Sequence, residues 1–334
     1  MDFILGEQYH EVNLNDNPCV FPRCGHFLTI ESMDAQMDIK KHYTLEDERP
    51  VGIAQSSQPF SIDDIQTCAI CGGSLRDVSR YGRLVRRALL DETTKKFILY
   101  LNQQYVPMAQ ELIQRLSELQ GSQAEQGQLA RMVFQANVKI RIEGPPACQI
   151  REMYRLVNKY DPRWKDLLRL RDRISEYKSR VQVEEQPFNR VHAMVKSARQ
   201  HNETVGQFDF DANVLQTKGY IQAVSLLLRL DAALLADFLS LCKQGGGQAE
   251  ISYDLTEFKK EINALIEHSE TSRRTFQQTE GNIFLAQFCA LERQAQSDPS
   301  KAEALLHEGS TAITEAQSLC DLHPGQTRGL LEEV

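Results

Sequence analysis

The sequence predicts a mainly α protein, with a small α+β module over residues 1–80 followed by an α-helical bundle over residues 81–334. Three observations predict it. Up to about Arg80 the apolar pieces are short and irregular, as in Cys19 to Ile30, and are separated by turn residues at Asn13 to Pro18 and by a loop from Glu46 to Pro59. From Tyr81 onward, apolar residues recur at the 3.6-residue spacing of amphipathic helices. Almost no alternating strand pattern follows residue 81, and no repeat of fixed period is present, so a bundle is favoured over a solenoid.

The helices follow in order. One is expected to begin at Asp91 and to kink at Pro107, after which Met108, Leu112, Ile113, Leu116 and Leu119 form one face. The Gln- and Gly-rich stretch Gly121 to Gly127 reads as a link and marks one sub-boundary, near residues 121–127. Asp161-Pro162 supplies an N-cap and a first-turn proline for a helix with Trp164, Leu167, Leu168, Ile174, Tyr177 and Val181 on one side. Its other side carries Arg163, Lys165, Arg169, Arg171, Arg173, Lys178 and Arg180. Further helices are expected at about Phe188 to Gln200, Asn213 to Leu241, Thr256 to Glu270, Glu280 to Ser297 and Ser300 to Leu319. The glycine run Gly245 to Gly247 places a second sub-boundary near residues 243–252, and Asp298-Pro299 repeats the helix-start signal.

Composition excludes several classes. At 334 residues with 41% hydrophobic and 25% charged residues, and a mean hydropathy of -0.43, the chain is too large for a mini-protein and too apolar for a disordered one. The most apolar stretch, Tyr220 to Leu241, contains Arg229, Asp231 and Asp237, which a bilayer would not accept, so no membrane partner is expected. The N-terminus has acidic residues where a secretory signal needs basic ones, which points to a reducing compartment, nucleus or cytoplasm. The net charge of -8 conceals a basic middle. Gly72 to Gln182 holds 21 Lys and Arg against 12 Asp and Glu, a local +9, which leaves -17 for the rest.

Of eight cysteines, four are organised. Cys24-Gly25-His26 is followed, after 41 intervening residues, by Cys68-Ala69-Ile70-Cys71-Gly72-Gly73. A C-x-x-C turn followed by glycine lets two thiolates and free N–H groups converge on one ion, and the upstream C-x-H completes a Cys3His set suited to Zn2+. Cys19, five positions before Cys24, is a neighbour or substitute ligand. Four protein ligands leave no open position, so such a metal is structural. The spacing is also that of the second metal site of a RING finger, but the cysteine pairs for a first site are missing, which leaves a half-RING or treble-clef-like module. Cys148, Cys242, Cys289 and Cys320 read as small buried hydrophobes.

Immediately after the knuckle come Arg76, Arg80, Arg83, Arg86 and Arg87, with Arg80, Arg83 and Arg87 on one helical face. This strip is a candidate for RNA phosphates, with Tyr81 as a stacking partner for a base; the competing reading pairs these arginines with the chain's own acidic residues.

The strings NPCVFPRCGHFLTIESMDAQMDI, CAICGGSLRDVSRYGRLVRRALLDE and EEQPFNRV resemble the region C-terminal to the helicase core in X-box-binding-factor-type zinc-finger helicases, especially fungal ones, of the superfamily 1 RNA helicases. The matching pattern is C-G-H at Cys24 to His26, C-x-x-C at Cys68 to Cys71, and Arg80-Tyr81-Gly82. The resemblance implies Cys24 over Cys19 as ligand and work in RNA surveillance, small-RNA silencing or heterochromatin, with RNA, a helicase core or a silencing complex as partner. No G-x-x-x-x-G-K-[ST] loop is present, so the expectation is a truncated accessory region without an ATPase. Two alternatives stand beside it: a RING-like ubiquitin-ligase module, and a fragment with no independent role.

Overall fold

The structure is a computed structural model. It describes residues 6, 8–46, 49–53, 63, 65–121, 139–157, 163–184, 197, 217–244, 250–296, 298–327 and 330. The expected cap at Asp161-Pro162, the helix expected at Phe188 to Gln200 apart from Ser197, and the glycine run at Gly245 lie outside them. The chain divides into two compact units, Met1–Leu99 and Tyr100–Val334.

The first unit begins with a short antiparallel hairpin. Strand β1 (Cys19–Val20) pairs with β2 (Leu28–Thr29), so the intervening turn carries Cys24 and His26. Helix α1 (Ile30–Gln36) starts at once because Thr29, the N-cap, accepts from the Ser32 N–H at 3.2 Å and donates to Ser32 Oγ at 2.9 Å. Thr29 is fully buried, and Thr29→Ala is expected to lower the unit's stability by about 1 kcal/mol, read as a drop in its unfolding midpoint.

Helix α2 (Ile39–His42) leads into β3 (Tyr43–Glu46), antiparallel to β4 (Arg49–Ile53). A 3-10 turn, Ser79–Tyr81, then opens helix α3 (Gly82–Gly121), which crosses the division between the units. This helix begins nine residues before the expected Asp91. The reason is burial: Tyr81, Leu84, Val85 and Ala88 recur at helical spacing and join Leu28, Met33, Ile39, Ile65 and Leu75 in one core. Asp91 instead sits inside the helix, 3.9 Å from Arg87, and the helix continues through Pro107.

The second unit is helical around one central element. After β5 (Lys139–Ile142), α4 (Pro146–Val157) and α5 (Arg163–Ser179, ending in a π turn at Arg180–Glu184) comes α6 (Lys218–Gln244). Residues on every side of α6, among them Ile221, Leu227, Leu230, Leu234, Leu235 and Phe238, are buried, because α4, α5 and later helices surround it. Strand β6 (Glu250–Tyr253) pairs parallel with β5, and α7 (Thr256–Thr271), α8 (Thr275–Ala295), α9 (Pro299–Leu322) and the short α10 (Pro324–Thr327) finish the unit. The start of α9 is built as its sequence requires, with Asp298 accepting from the Ser300 N–H at 3.0 Å ahead of Pro299. No helix of the described residues is long and apolar enough to cross a membrane.

Two expectations change here. Arg171 does not stand on the solvated basic face of α5; it is buried and holds both oxygens of Asp231 on α6, at 2.6 and 2.8 Å. Asp237, Arg229 and Ser225 of α6 are also bound to partners on other helices. Asp237 accepts from the Trp164 indole at 2.8 Å, and Arg229 donates to Glu280 of α8 at 2.8 Å, with Ser225 donating to the other Glu280 oxygen. Cys148 is exposed on α4 rather than buried, since its position on the helix falls outside the stripe Gln149, Ile150, Met153 and Val157; Cys289 and Cys320 are buried and Cys242 is half-buried.

Candidate metal centre

Two backbone turns form the site. In the hairpin loop, Gly25 donates to the Pro22 carbonyl at 2.9 Å with φ at +78°, a conformation that costs a side-chain-bearing residue strain and that turns Cys24 and His26 to one side. In the second turn, Gly72 donates to the Cys68 carbonyl and Cys68 to the Gly73 carbonyl, both at 2.7 Å, and the Thr67–Ser74 bridge closes the loop. The N–H groups of Ile70 and Cys71 point at Cys68 Sγ, and that of Gly73 points at Cys71 Sγ.

The turns meet. The ligand atoms of Cys24, His26, Cys68 and Cys71 all lie within 4.8 Å of one another, and His26 Nδ1 is 3.9 Å from Cys68 Sγ. A tetrahedral ion with bonds of about 2.3 Å to sulfur has edges of about 3.8 Å between donors, so these four atoms form a set able to hold one metal ion. Cys68 is buried, Cys24 and His26 are half-buried, and Cys71 is exposed. Cys19, the alternate, is not one of the four; it lies on β1 opposite Thr29. Among the described residues no second group of three or more metal-ligating side chains comes together.

Electrostatics favour a cation. Burial pushes the Cys68 thiol up, but the Ile70 and Cys71 N–H groups and the Cys24 and Cys71 thiols outweigh it and bring the thiol below its ordinary value. The Gly73 N–H lowers Cys71, but burial and the neighbouring Cys24 and Cys68 thiols outweigh it and leave Cys71 above its ordinary value. The Cys68 and Cys71 thiols thus shift in opposite directions, and a bound cation would favour both as thiolates.

Three positioning residues were not evident from the sequence. Gly73 is the first: a Cβ there would sit 3.0 Å from Cys24 Cβ and 3.2 Å from Cys71 Sγ, so the second glycine of C-x-x-C-G-G makes room for Cys24. Gly73→Ala is expected to weaken metal affinity about 10-fold to 100-fold, measured by competition with a chelator. Gln36 is the second, donating from the end of α1 to the Thr67 carbonyl at 2.5 Å. Asp34 is the third. It takes both Arg80 donors, at 2.8 and 2.6 Å, and the Tyr81 hydroxyl at 2.5 Å.

That cluster corrects the reading of the basic strip. Tyr81 is fully buried and burial with Asp34 pushes its hydroxyl far up, so its ring is not offered to a base. Arg80 is an ion-pair partner inside the module, and Arg87 faces Asp91 along its own helix. Arg76, Arg83 and Arg86 remain exposed.

Fold and site together define a mainly helical protein with a metal-capable Cys3His module in its first unit. No protein family, curated protein or solved structure matches the chain, so its function is read from the site itself.

Proposed function

We propose that Cys24, His26, Cys68 and Cys71 hold one structural zinc ion, and that the chain is a non-catalytic scaffold. The observation that carries this is the four-donor cluster within 4.8 Å, built from three sulfurs and one imidazole with no carboxylate. That donor chemistry suits zinc, and four protein ligands leave no position for substrate. In the wider reading the scaffold is the accessory region of an RNA helicase-like surveillance or silencing factor. What supports that reading is the resemblance of the ligand strings and the three exposed arginines that follow the knuckle.

Metal analysis of the purified chain tests the first part, with about one zinc per chain expected. Cys71→Ser should lose it; a folded, zinc-free wild-type chain refutes the assignment. For the second part, changing Arg76, Arg83 and Arg86 to glutamate should weaken binding of a single-stranded RNA and lower the salt slope by about one per arginine. Binding that ignores both charge and salt removes RNA contact by this strip.

A further inference from the structure

We propose that Cys71 is a peroxide-modified cysteine and Cys24 its resolving partner, so that the metal module opens by forming a Cys24–Cys71 disulfide. The proposal rests on the zinc reading and deepens it, giving the same site a redox chemistry.

The four ligands differ in access. Cys68 is 2% exposed and its sulfur is held by the N–H groups of Ile70 and Cys71. Cys71 is exposed and stands one residue before Gly72. A Cβ built on Gly72 would meet nothing within 4 Å, and the same holds for Gly25 between Cys24 and His26. The outer side of both turns is therefore open to a small oxidant. Behind the ligands, Gly73 lets Cys24 and Cys71 approach: the point where its Cβ would be lies 3.2 Å from Cys71 Sγ and 3.5 Å from Cys24 Sγ. The half-buried Cys24 comes from the other turn, so the disulfide would join covalently two segments that otherwise meet through non-covalent packing.

The chemistry balances with hydrogen peroxide as the oxidant. The Cys71 thiolate attacks one peroxide oxygen; an S–O bond forms, the O–O bond breaks and hydroxide leaves. The Cys24 thiolate then attacks the Cys71 sulfur; the S–S bond forms, the S–O bond breaks and a second hydroxide leaves. Two thiolates are oxidised by two electrons, one peroxide is reduced, and two protons from water or buffer turn the hydroxides into water. The sulfurs, already within 4.8 Å, close to about 2.05 Å. His26 and Cys68 are left as two donors, too few for a tetrahedral site. A dithiol reductant reverses the exchange.

The test uses the full chain as purified, with its metal content measured first. It is treated with one equivalent of hydrogen peroxide, and released zinc is followed with a chromophoric chelator. Disulfides are mapped by non-reducing peptide mass spectrometry, and dimedone is present in a parallel sample. The expected result is loss of the zinc, a Cys24–Cys71 cross-linked peptide, a dimedone adduct on Cys71 rather than Cys68, and recovery of binding after dithiothreitol and added zinc. Retained zinc with all thiols alkylatable overturns the proposal, as does a Cys68–Cys71 cross-link or zinc loss without any cross-link. A chain that never held zinc refutes the metal reading instead, so the two failures are told apart.

Discussion

Cys68→Ser is expected to abolish metal binding and to unfold the first unit. Cys68 has two roles that serine cannot fill together. Its sulfur is one of the four donors able to hold an ion, and its side chain, 2% exposed, belongs to the core formed by Leu28, Met33, Leu75 and Tyr81. Structural zinc contributes about 10–16 kcal/mol of apparent folding free energy in small modules, as much as or more than the 5–15 kcal/mol a whole domain usually possesses. A core of this size has no comparable reserve. Hydrogen exchange is the measurement: amides of residues 19–46 and 65–88 should lose protection in Cys68→Ser, while those of α6 and α8 keep theirs. Wild-type protection in a metal-free Cys68→Ser chain would show that the ion does not hold the module together.

The second large effect is expected at Asp231. Asp231→Ala should destabilise the helical unit by about 3–5 kcal/mol, because it leaves Arg171 buried without a counter-charge. Burial pushes the Asp231 carboxyl up, and the two short bonds from Arg171 are what oppose that. The pair Arg171→Met with Asp231→Leu should recover most of the loss, since replacing both charges removes the desolvation cost along with the attraction. Denaturant unfolding followed by Trp164 emission reads both variants; this tryptophan is fully buried in the same unit and stacks edge-on against Phe238. A cost for Asp231→Ala below about 1 kcal/mol would mean that water or another group already compensates Arg171.

The metal-capable cluster of Cys24, His26, Cys68 and Cys71 was legible in the sequence because metal chemistry demands particular residue types at short spacing, and C-x-H and C-x-x-C satisfy that demand locally. Helices α5 to α9 were legible because burial imposes periodicity, and the start at Asp298-Pro299 because a cap is made from neighbouring residues; α1 and α4 were not among the helices expected. What was hidden depends on partners far along the chain. Arg171 reads as one more charge on a basic face until Asp231, sixty residues on, is placed opposite it. Arg80 and Tyr81 read as a nucleic-acid strip until Asp34 is known to occupy both. The early start of α3 was hidden for a related reason, since the burial of Leu84 and Val85 comes from a core assembled out of residues before Gly82.

The parallel pairing of β5 with β6 bears on how the second unit is reached rather than on how stable it is. These strands run side by side, with Lys139 opposite Glu250, and the Asp254 N–H continues the ladder to the Ile142 carbonyl at 3.1 Å. Gln149, buried on α4, reinforces the join by donating to the carbonyls of Gly144 and Asp254. Bringing the strands together closes a loop of about 110 residues, whose entropy must be lost before the few bonds of a four-residue ladder return anything. Local helices are therefore expected to form first and the strand pair to register late, as a clasp across the helices between them. A chain still on the ribosome cannot close it until Tyr253 has emerged.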